Sequence, residues 1–378
     1  MFWGLLALFV VGASGVRVAY LVLAHDEATL RAAARLVDVL YDEDDTFLVH
    51  IDSKYASPKV ELLRDAVRWA QLFDVQWARW SMVEPTLWAM RELGSVEWDV
   101  FINLAGDSWP VLEPVSLKRK LEDVKHLNFV TSGPSCPTGL RPTARSEFGD
   151  GWHKKQAYPH PMIGAVPSLE AYYGSQWMIL SRQFVEFVVD ELKNPGSPAA
   201  LLRNWFVHGW MDVPDVGRVK PHIPDETFFP SLLAYHKFPL PSPAMVIDGK
   251  VTTATFYIRM DEHYPWSSGK QRYLAPALDR RERPWGPYYL GAYDLADIRA
   301  SGAFFVRKTS PLVDPALFQI LPVDDHARIP ALAWPSHHLT LSDPLPVLPT
   351  LANGCVQVAE SVHCPPSHTL RPDAAELR

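Results

Sequence analysis

The chain has 378 residues, long enough for one large domain or two smaller ones with a sizeable core. Apolar residues at 48% and charged residues at 21% are the proportions of a globular protein. A net charge of −7 excludes a strongly basic surface, which speaks against a nucleic-acid partner.

The chain opens on an apolar run, MFWGLLALFVVGASGV, residues 1–16. It is shorter than the roughly 20 residues a spanning helix needs, and no basic residue precedes Arg17. It reads as a signal peptide or a short signal-anchor, with Gly12 to Gly15 as the cleavage region. A buried first strand is the competing reading. The secretory reading predicts a protein of the Golgi or ER lumen that meets a membrane only through this segment, type II if the segment is retained. Cys355 and Cys364 are close enough in sequence to pair there, leaving Cys136 odd.

Next, VRVAYLVLAH is continuously apolar and ends polar, as a strand covered on both faces does. EATLRAAARLVDVLYD places Leu30, Ala33, Val37, Leu40 and Tyr41 on one helical face. TFLVHIDSK predicts a second buried strand, residues 58–70 a helix, and WDVFINLAGDSWPV a third buried strand. Alternation of this kind predicts an α/β fold with a mostly parallel, doubly wound sheet. Ligands of such sheets bind beyond the carboxyl ends of the strands, where this chain carries His25 and Asp26, then His50, Asp52 and Lys54, then Asn103, Gly106 and Asp107. A nucleotide is expected there.

Residues 132–172 are irregular and rich in Pro, Gly and aromatics. YYGSQWMILSRQFVEFVVDEL then predicts a short strand running into a helix, and HIPDETFF begins the following helix. The expected layout is a leader over 1–16, one catalytic domain over 17–320, and a Pro-rich, partly disordered extension over 321–378.

The chemistry concentrates in a few places. In HIPDETFF, Asp225 and Glu226 adjoin two phenylalanines with no base nearby. One reading is a helix start, with Pro224 in the first turn, Asp225 capping and Glu226 at the positive end of the dipole. The other is a partly desolvated carboxylate with a raised pKa, poised to take a proton. YDEDDTF (41–47) precedes its strand, so a solvated helix end fits it better than a metal-diphosphate site. Neither common Gly-rich phosphate loop is present. SGAFFVRKTS instead delivers Arg307 and Lys308 on an apolar strand, and Arg259 ends another apolar run. Cations at strand ends hold a diphosphate by charge-assisted hydrogen bonds, or form ordinary salt bridges.

Together the segments LVLAH, LVHIDSK, FINLAGDSWPV, GSQWMILSRQFVEFV, PDETFF and GAFFVRK resemble glycosyltransferase family 14, over about residues 18–310. That family contains core-2 and I-branching β-1,6-N-acetylglucosaminyltransferases and peptide O-xylosyltransferases, and the resemblance leans toward the latter. It implies a GT-A type fold and inverting sugar transfer from a UDP-sugar without a divalent metal or other cofactor. UDP-xylose to a protein serine is favoured, and UDP-N-acetylglucosamine to a glycan is the alternative.

By the same resemblance Glu226 is the general base, with the two phenylalanines shielding it and helping to raise its pKa. Lys308, with Arg259 and Arg307, neutralises the leaving diphosphate. His25, Asp52 and Asp107 serve the nucleotide, and Trp177, Gln176, Ser175 and Asp225 lie near the donor or acceptor sugar, Asp225 also capping the helix. Two departures stand out: Gln176 occupies a position where the xylosyltransferase pattern has an acid, and the large C-terminal domain of animal xylosyltransferases and most of the family's cysteines have no counterpart. A non-catalytic carbohydrate-binding protein of the same fold is the alternative of a different class.

Overall fold

The computed structural model describes residues 15–130, 141–142, 169, 172–213, 217–219, 223–240, 246–247, 250–251, 256–258, 289–322, 356–358 and 361–363. The chain divides into two compact units, residues 1–105 with 114–253, and residues 106–113 with 254–378. The leader, the three cysteines, Arg259 and most of residues 132–172 and of the Pro-rich extension lie outside the described residues.

The first unit is built on a six-stranded sheet. Its strands are β1 (Val18–Ala24), β2 (Thr46–Ile51), β3 (Arg68–Ala70), β4 (Val100–Ala105), β5 (Phe129–Val130) and β6 (Met178–Ser181). They lie in the order β3-β2-β1-β4-β6-β5. The first four are parallel, while β6 runs antiparallel to both β4 and β5. Every residue of β4 and all but Leu23 of β1 are buried, which is why these strands read as unbroken apolar runs. The strand order reverses at β1, so a crevice opens beyond the carboxyl ends of β1 and β4.

Helices cover the sheet, the first of them where periodicity predicted it. In α1 (Glu27–Leu40), Asp26 closes a capping box with Thr29: its Oδ1 accepts the Thr29 N–H at 2.8 Å, and Thr29 Oγ1 accepts the Asp26 N–H at 3.0 Å. The face buried is Leu30, Ala33, Leu36, Val37 and Leu40, each fully buried Leu or Val stabilising by about 1.5–3 kcal/mol. After α2 (Glu84–Glu92) and α3 (Pro114–Glu122), the predicted strand-to-helix passage is present as β6 running straight into α4 (Arg182–Glu191). The Ser181 hydroxyl accepts the Phe184 N–H there and stops the strand. Then follow α5 (Pro198–His208) and α6 (Phe228–Tyr235). Phe184, Val188, Leu202, Phe206, Phe228 and Leu232 from these helices pack with Phe101 and Leu180 of the sheet in one core.

Two expected elements differ. Residues 58–70 form a single 3-10 turn at Val60–Leu62 and the short strand β3, not a helix. Leu63 and Val67 are buried, but the open edge of β2 takes the backbone of Arg68 to Ala70 into the sheet. The run WDVFINLAGDSWPV is not one strand either. It breaks at Gly106–Asp107, and Ser108–Pro110 joins a separate three-stranded sheet in the second unit. There it pairs antiparallel with Phe305–Arg307, which pairs parallel with Phe256–Ile258. The described part of this unit also contains helices α7 (Leu295–Ser301) and α8 (Pro315–Ile320) and an antiparallel pair of short strands, Val356–Val358 and Ser361–His363.

Candidate active site

The two adjacent carboxylates sit on a 3-10 turn, Pro224–Glu226, and α6 begins only after Thr227. Neither element has a side-chain cap, so the expectation that Asp225 caps the helix is corrected: the turn folds Asp225 inward instead. Asp225 is 5% exposed, and burial pushes its carboxyl up to about 7 against the opposing backbone N–H groups of Asp225 and Glu226. Its Oδ1 is buried without a hydrogen-bond partner. The desolvated acid of HIPDETFF is therefore Asp225, whereas the phenylalanines were expected to shield Glu226; Phe228 and Phe229 are core residues. Glu226 is only partly buried.

The turn is held in place by backbone contacts. Ile223, a β-branched residue, is left-handed at φ 54°, and its N–H donates to the carbonyl of Ala78, itself left-handed at φ 59°. Such residues cost on the order of 1–3 kcal/mol and persist where the surroundings over-determine them. The Glu226 carbonyl accepts the Gly174 N–H at 2.9 Å. A Cβ on Gly174 would lie 2.3 Å from Val130 Cγ1 and 2.9 Å from Pro230 Cγ, so this approach of GSQW to the turn requires glycine. Two of the quoted motifs thus meet at Glu226.

Below the turn lies Asn103, a single amide in the apolar strand FINLA, 1% exposed. Its Nδ2 donates to the Gln176 carbonyl at 2.9 Å and approaches Thr86 Oγ1 at 3.5 Å, while its Oδ1 has no partner. Asp225, Asn103, Thr86, Gln176, Met82 and Met178 line one crevice of about 160 Å³, counting the part open to solvent. A buried acceptor left unpaired costs about 1–3 kcal/mol. Two of them, Asp225 Oδ1 and Asn103 Oδ1, belong to residues that line the same crevice.

The other strand ends of this unit are polar and mostly paired. His25 is exposed, its Nε2 3.6 Å from Asp26 Oδ2, at the entrance to α1. Asp52 is buried; its Oδ1 accepts the Lys54 N–H at 2.9 Å and its Oδ2 lies 2.9 Å from Lys54 Nζ. Burial lowers His50 to about 4 against the pull of Asp52, so the ring is neutral at pH 7 and its Nε2 accepts the Phe73 N–H. Ser175 and Gln176 are partly buried, and Trp177 is buried with its N–H on Ser175 Oγ at 3.1 Å.

In the second unit, Arg307 Nε donates to Asp107 Oδ1 at 2.9 Å. The Asp107 carbonyl accepts the Thr309 N–H, and the Lys308 carbonyl accepts the Leu290 N–H. The Lys308 ammonium stands 6.0 Å from the Tyr289 ring centroid. Arg307 and Asp107 thus engage each other, 200 positions apart in sequence. The acidic stretch 41–47 is also less solvated than expected: Asp42 and Asp45 share Lys118 at 2.8 and 3.0 Å. Among the described residues no group of three or more His, Cys, Asp or Glu could hold a metal ion.

A family model described as Core-2/I-Branching enzyme matches residues 18–263, which include the sheet and the Pro224–Glu226 turn. The chain belongs to this family. Its similarity to individual members is modest. Xylosyltransferase 2 of Mus musculus is 28% identical over 197 residues, 47% of this chain and 22% of the relative. The β-1,3-galactosyl-O-glycosyl-glycoprotein β-1,6-N-acetylglucosaminyltransferase 3 of Mus musculus is 26% identical over 188 residues, 47% of this chain and 41% of the relative. The chain therefore matches less than half the length of these relatives. A solved CMP-2-keto-3-deoxy-manno-octonic acid synthetase complexed with CTP aligns with a TM-score of 0.26 at 14% identity, covering 50% of this chain and 85% of that one, too low to carry an argument.

Of the residues singled out from sequence, Asp225, Gln176, Ser175 and Glu226 come together in the first unit of this Core-2/I-Branching enzyme family member. Asn103 was named only among the strand-end residues where a nucleotide was expected, and Thr86, inside a helix, carried no signal.

Proposed function

We propose that the chain is a glycosyltransferase that moves a sugar from a UDP-sugar to an acceptor hydroxyl with inversion and without a divalent metal. The observation that carries this reading is the family match extending through the turn that bears Glu226. In the proposed step Glu226 takes the proton of the acceptor hydroxyl as its oxygen bonds to C1 of the donor sugar. The bond from C1 to the diphosphate oxygen breaks on the opposite face, and UDP leaves. The fixed backbone supports this role: Gly174 and the Ile223 conformation hold the residue while its side chain is only partly buried. His25 and Asp52, beyond the ends of β1 and β2, are proposed to meet the nucleotide. Lys308 and Arg259 are proposed to offset the charge of the diphosphate, on the strength of the motif resemblance.

UDP-xylose to a protein serine is the favoured reaction. UDP-N-acetylglucosamine to a glycan is the second reading, favoured by a relative of comparable identity named as a β-1,6-N-acetylglucosaminyltransferase. The test is UDP release from a panel of UDP-sugars in the presence of EDTA, with and without a serine peptide or a β-1,3-galactosyl O-glycan. Release from UDP-xylose supports the first reading and release from UDP-N-acetylglucosamine the second. Release abolished by EDTA contradicts metal independence, and sugar binding without any release makes the chain a carbohydrate-binding protein. The proposed compartment is the Golgi or ER lumen; a tagged full chain degraded by protease added to intact microsomes would contradict it.

A further inference from the structure

The crevice beside Glu226 has a feature that base catalysis does not use. Asp225 and Asn103 both line it, both side chains are more than nine-tenths buried, and each has an Oδ1 without a hydrogen-bond partner. Both are acceptors, so while Asp225 is ionised neither can satisfy the other. Asn103 cannot turn to relieve the conflict without loss, because its Nδ2 is already committed to the Gln176 carbonyl. As it stands the crevice is too narrow to admit a water molecule. Two of its walls, however, are unbranched thioethers, Met178 in the core and Met82, whose Sδ accepts the Ala78 N–H at 3.0 Å, and a change of rotamer there would let a small group in.

We infer that Asp225 and Asn103 form a subsite for hydroxyl groups of a sugar ring, each orphaned oxygen accepting one hydroxyl hydrogen. Sugar hydroxyls suit it because they are small neutral donors and bring no charge into a buried site that already holds a carboxyl. Cationic donors are less suited, since Thr86, Gln176 and the two methionines offer an ammonium no further ionised partner. The inference rests on the glycosyl-transfer reading and adds to it a positioning role for two residues next to the proposed base. The hydroxyls belong either to the donor sugar or to the acceptor, and the two sources separate experimentally.

Asp225→Asn keeps the shape and replaces one acceptor oxygen with an NH₂ donor that Asn103 Oδ1 can accept, closing the subsite from within. Titration of wild type and variant with UDP, UDP-xylose and UDP-N-acetylglucosamine is the experiment, followed by acceptor kinetics with the serine peptide and the β-1,3-galactosyl O-glycan. A tenfold or greater loss of affinity for a UDP-sugar, with UDP affinity retained, supports the inference and assigns the hydroxyls to the donor. A tenfold or greater rise in acceptor KM, with UDP-sugar affinity retained, supports it and assigns them to the acceptor. Wild-type binding that the variant keeps in every arm overturns the subsite and leaves the transferase reading standing. A wild type that binds no UDP-sugar overturns both. Asp225→Ser, which also removes the orphaned oxygen, replaces the first variant if that one does not fold.

Discussion

The amino and carboxyl ends of the central sheet each bury an aspartate, and they do so on different terms. Before β2, the Asp45 side chain has no exposure, and burial pushes it up to about 6. Its Oδ1 accepts the Val18 N–H at 2.8 Å and meets Lys118 Nζ at 3.0 Å. Toward the carboxyl ends, burial pushes Asp225 up to about 7, and only backbone N–H groups oppose it. Each site also leaves two polar atoms unpaired, but the pairs differ in kind. Asp45 Oδ2 has the Tyr20 hydroxyl in its surroundings, an acceptor and a donor. Asp225 Oδ1 has Asn103 Oδ1, two acceptors. The fold supplies a counter-charge and a donor at the amino end. At the carboxyl end it supplies only backbone N–H groups, and above about pH 7, once Asp225 is ionised, its Oδ1 and that of Asn103 are left for a ligand to meet.

That contrast is open to breakage at each end. The largest expected effect is on turnover: Glu226→Gln should lower kcat by roughly 10²–10⁴ while the melting temperature stays within a degree or two of wild type. UDP release under saturating donor reads the first quantity and calorimetry the second. Lys118→Met should do the reverse. Removing the cation that Asp42 and Asp45 share should cost about 3 kcal/mol in urea unfolding, as breaking a largely buried pair does, with kcat unchanged in the folded fraction. A Lys118 variant that lost turnover and kept its stability would erase the contrast. Gly174→Ala should fall between them. Its Cβ forces Val130 or Pro230 aside, which we expect to cost about 1–3 kcal/mol as overpacking, and to lower kcat by displacing the Glu226 backbone.

Much of the first unit was legible in the sequence because burial on both faces writes itself as apolar runs. VAYLVLA, TFLVHI and MILS are strands for that reason, and the spacing of Leu30, Ala33, Val37 and Leu40 made α1 readable. Where the neighbouring element decides the outcome, local pattern misled. Leu63 and Val67 have helical spacing, yet the edge of β2 drew Arg68 to Ala70 into the sheet. Gly106 and Asp107 looked like the end of one strand, although the chain there passes into a second sheet.

At the site, the pair of carboxylates in PDETFF was conspicuous, but which of them would be desolvated was not. Local sequence favoured Asp225 as a cap, whereas the left-handed Ile223 rotates the turn and sends it inward. The pairing of Arg307 with Asp107 depends on sheet register across the chain, which no local window contains.

The most direct test of the contrast is the pH dependence of unfolding for Asp225→Asn against wild type. An aspartate titrates near 3.9 when unfolded and, here, near 7 when folded. Between these values the folded chain holds a proton that the unfolded chain has released, so wild-type stability falls as pH rises from about 4 to about 7 and then levels. Asparagine does not titrate, and the contribution of Asp45 cancels between the two proteins. The variant should therefore gain on wild type through that window and be the more stable of the two at pH 8. If Asp225→Asn is instead less stable than wild type at pH 8, the carboxylate is satisfied by the fold itself, and the carboxyl end of the sheet does not wait for a ligand.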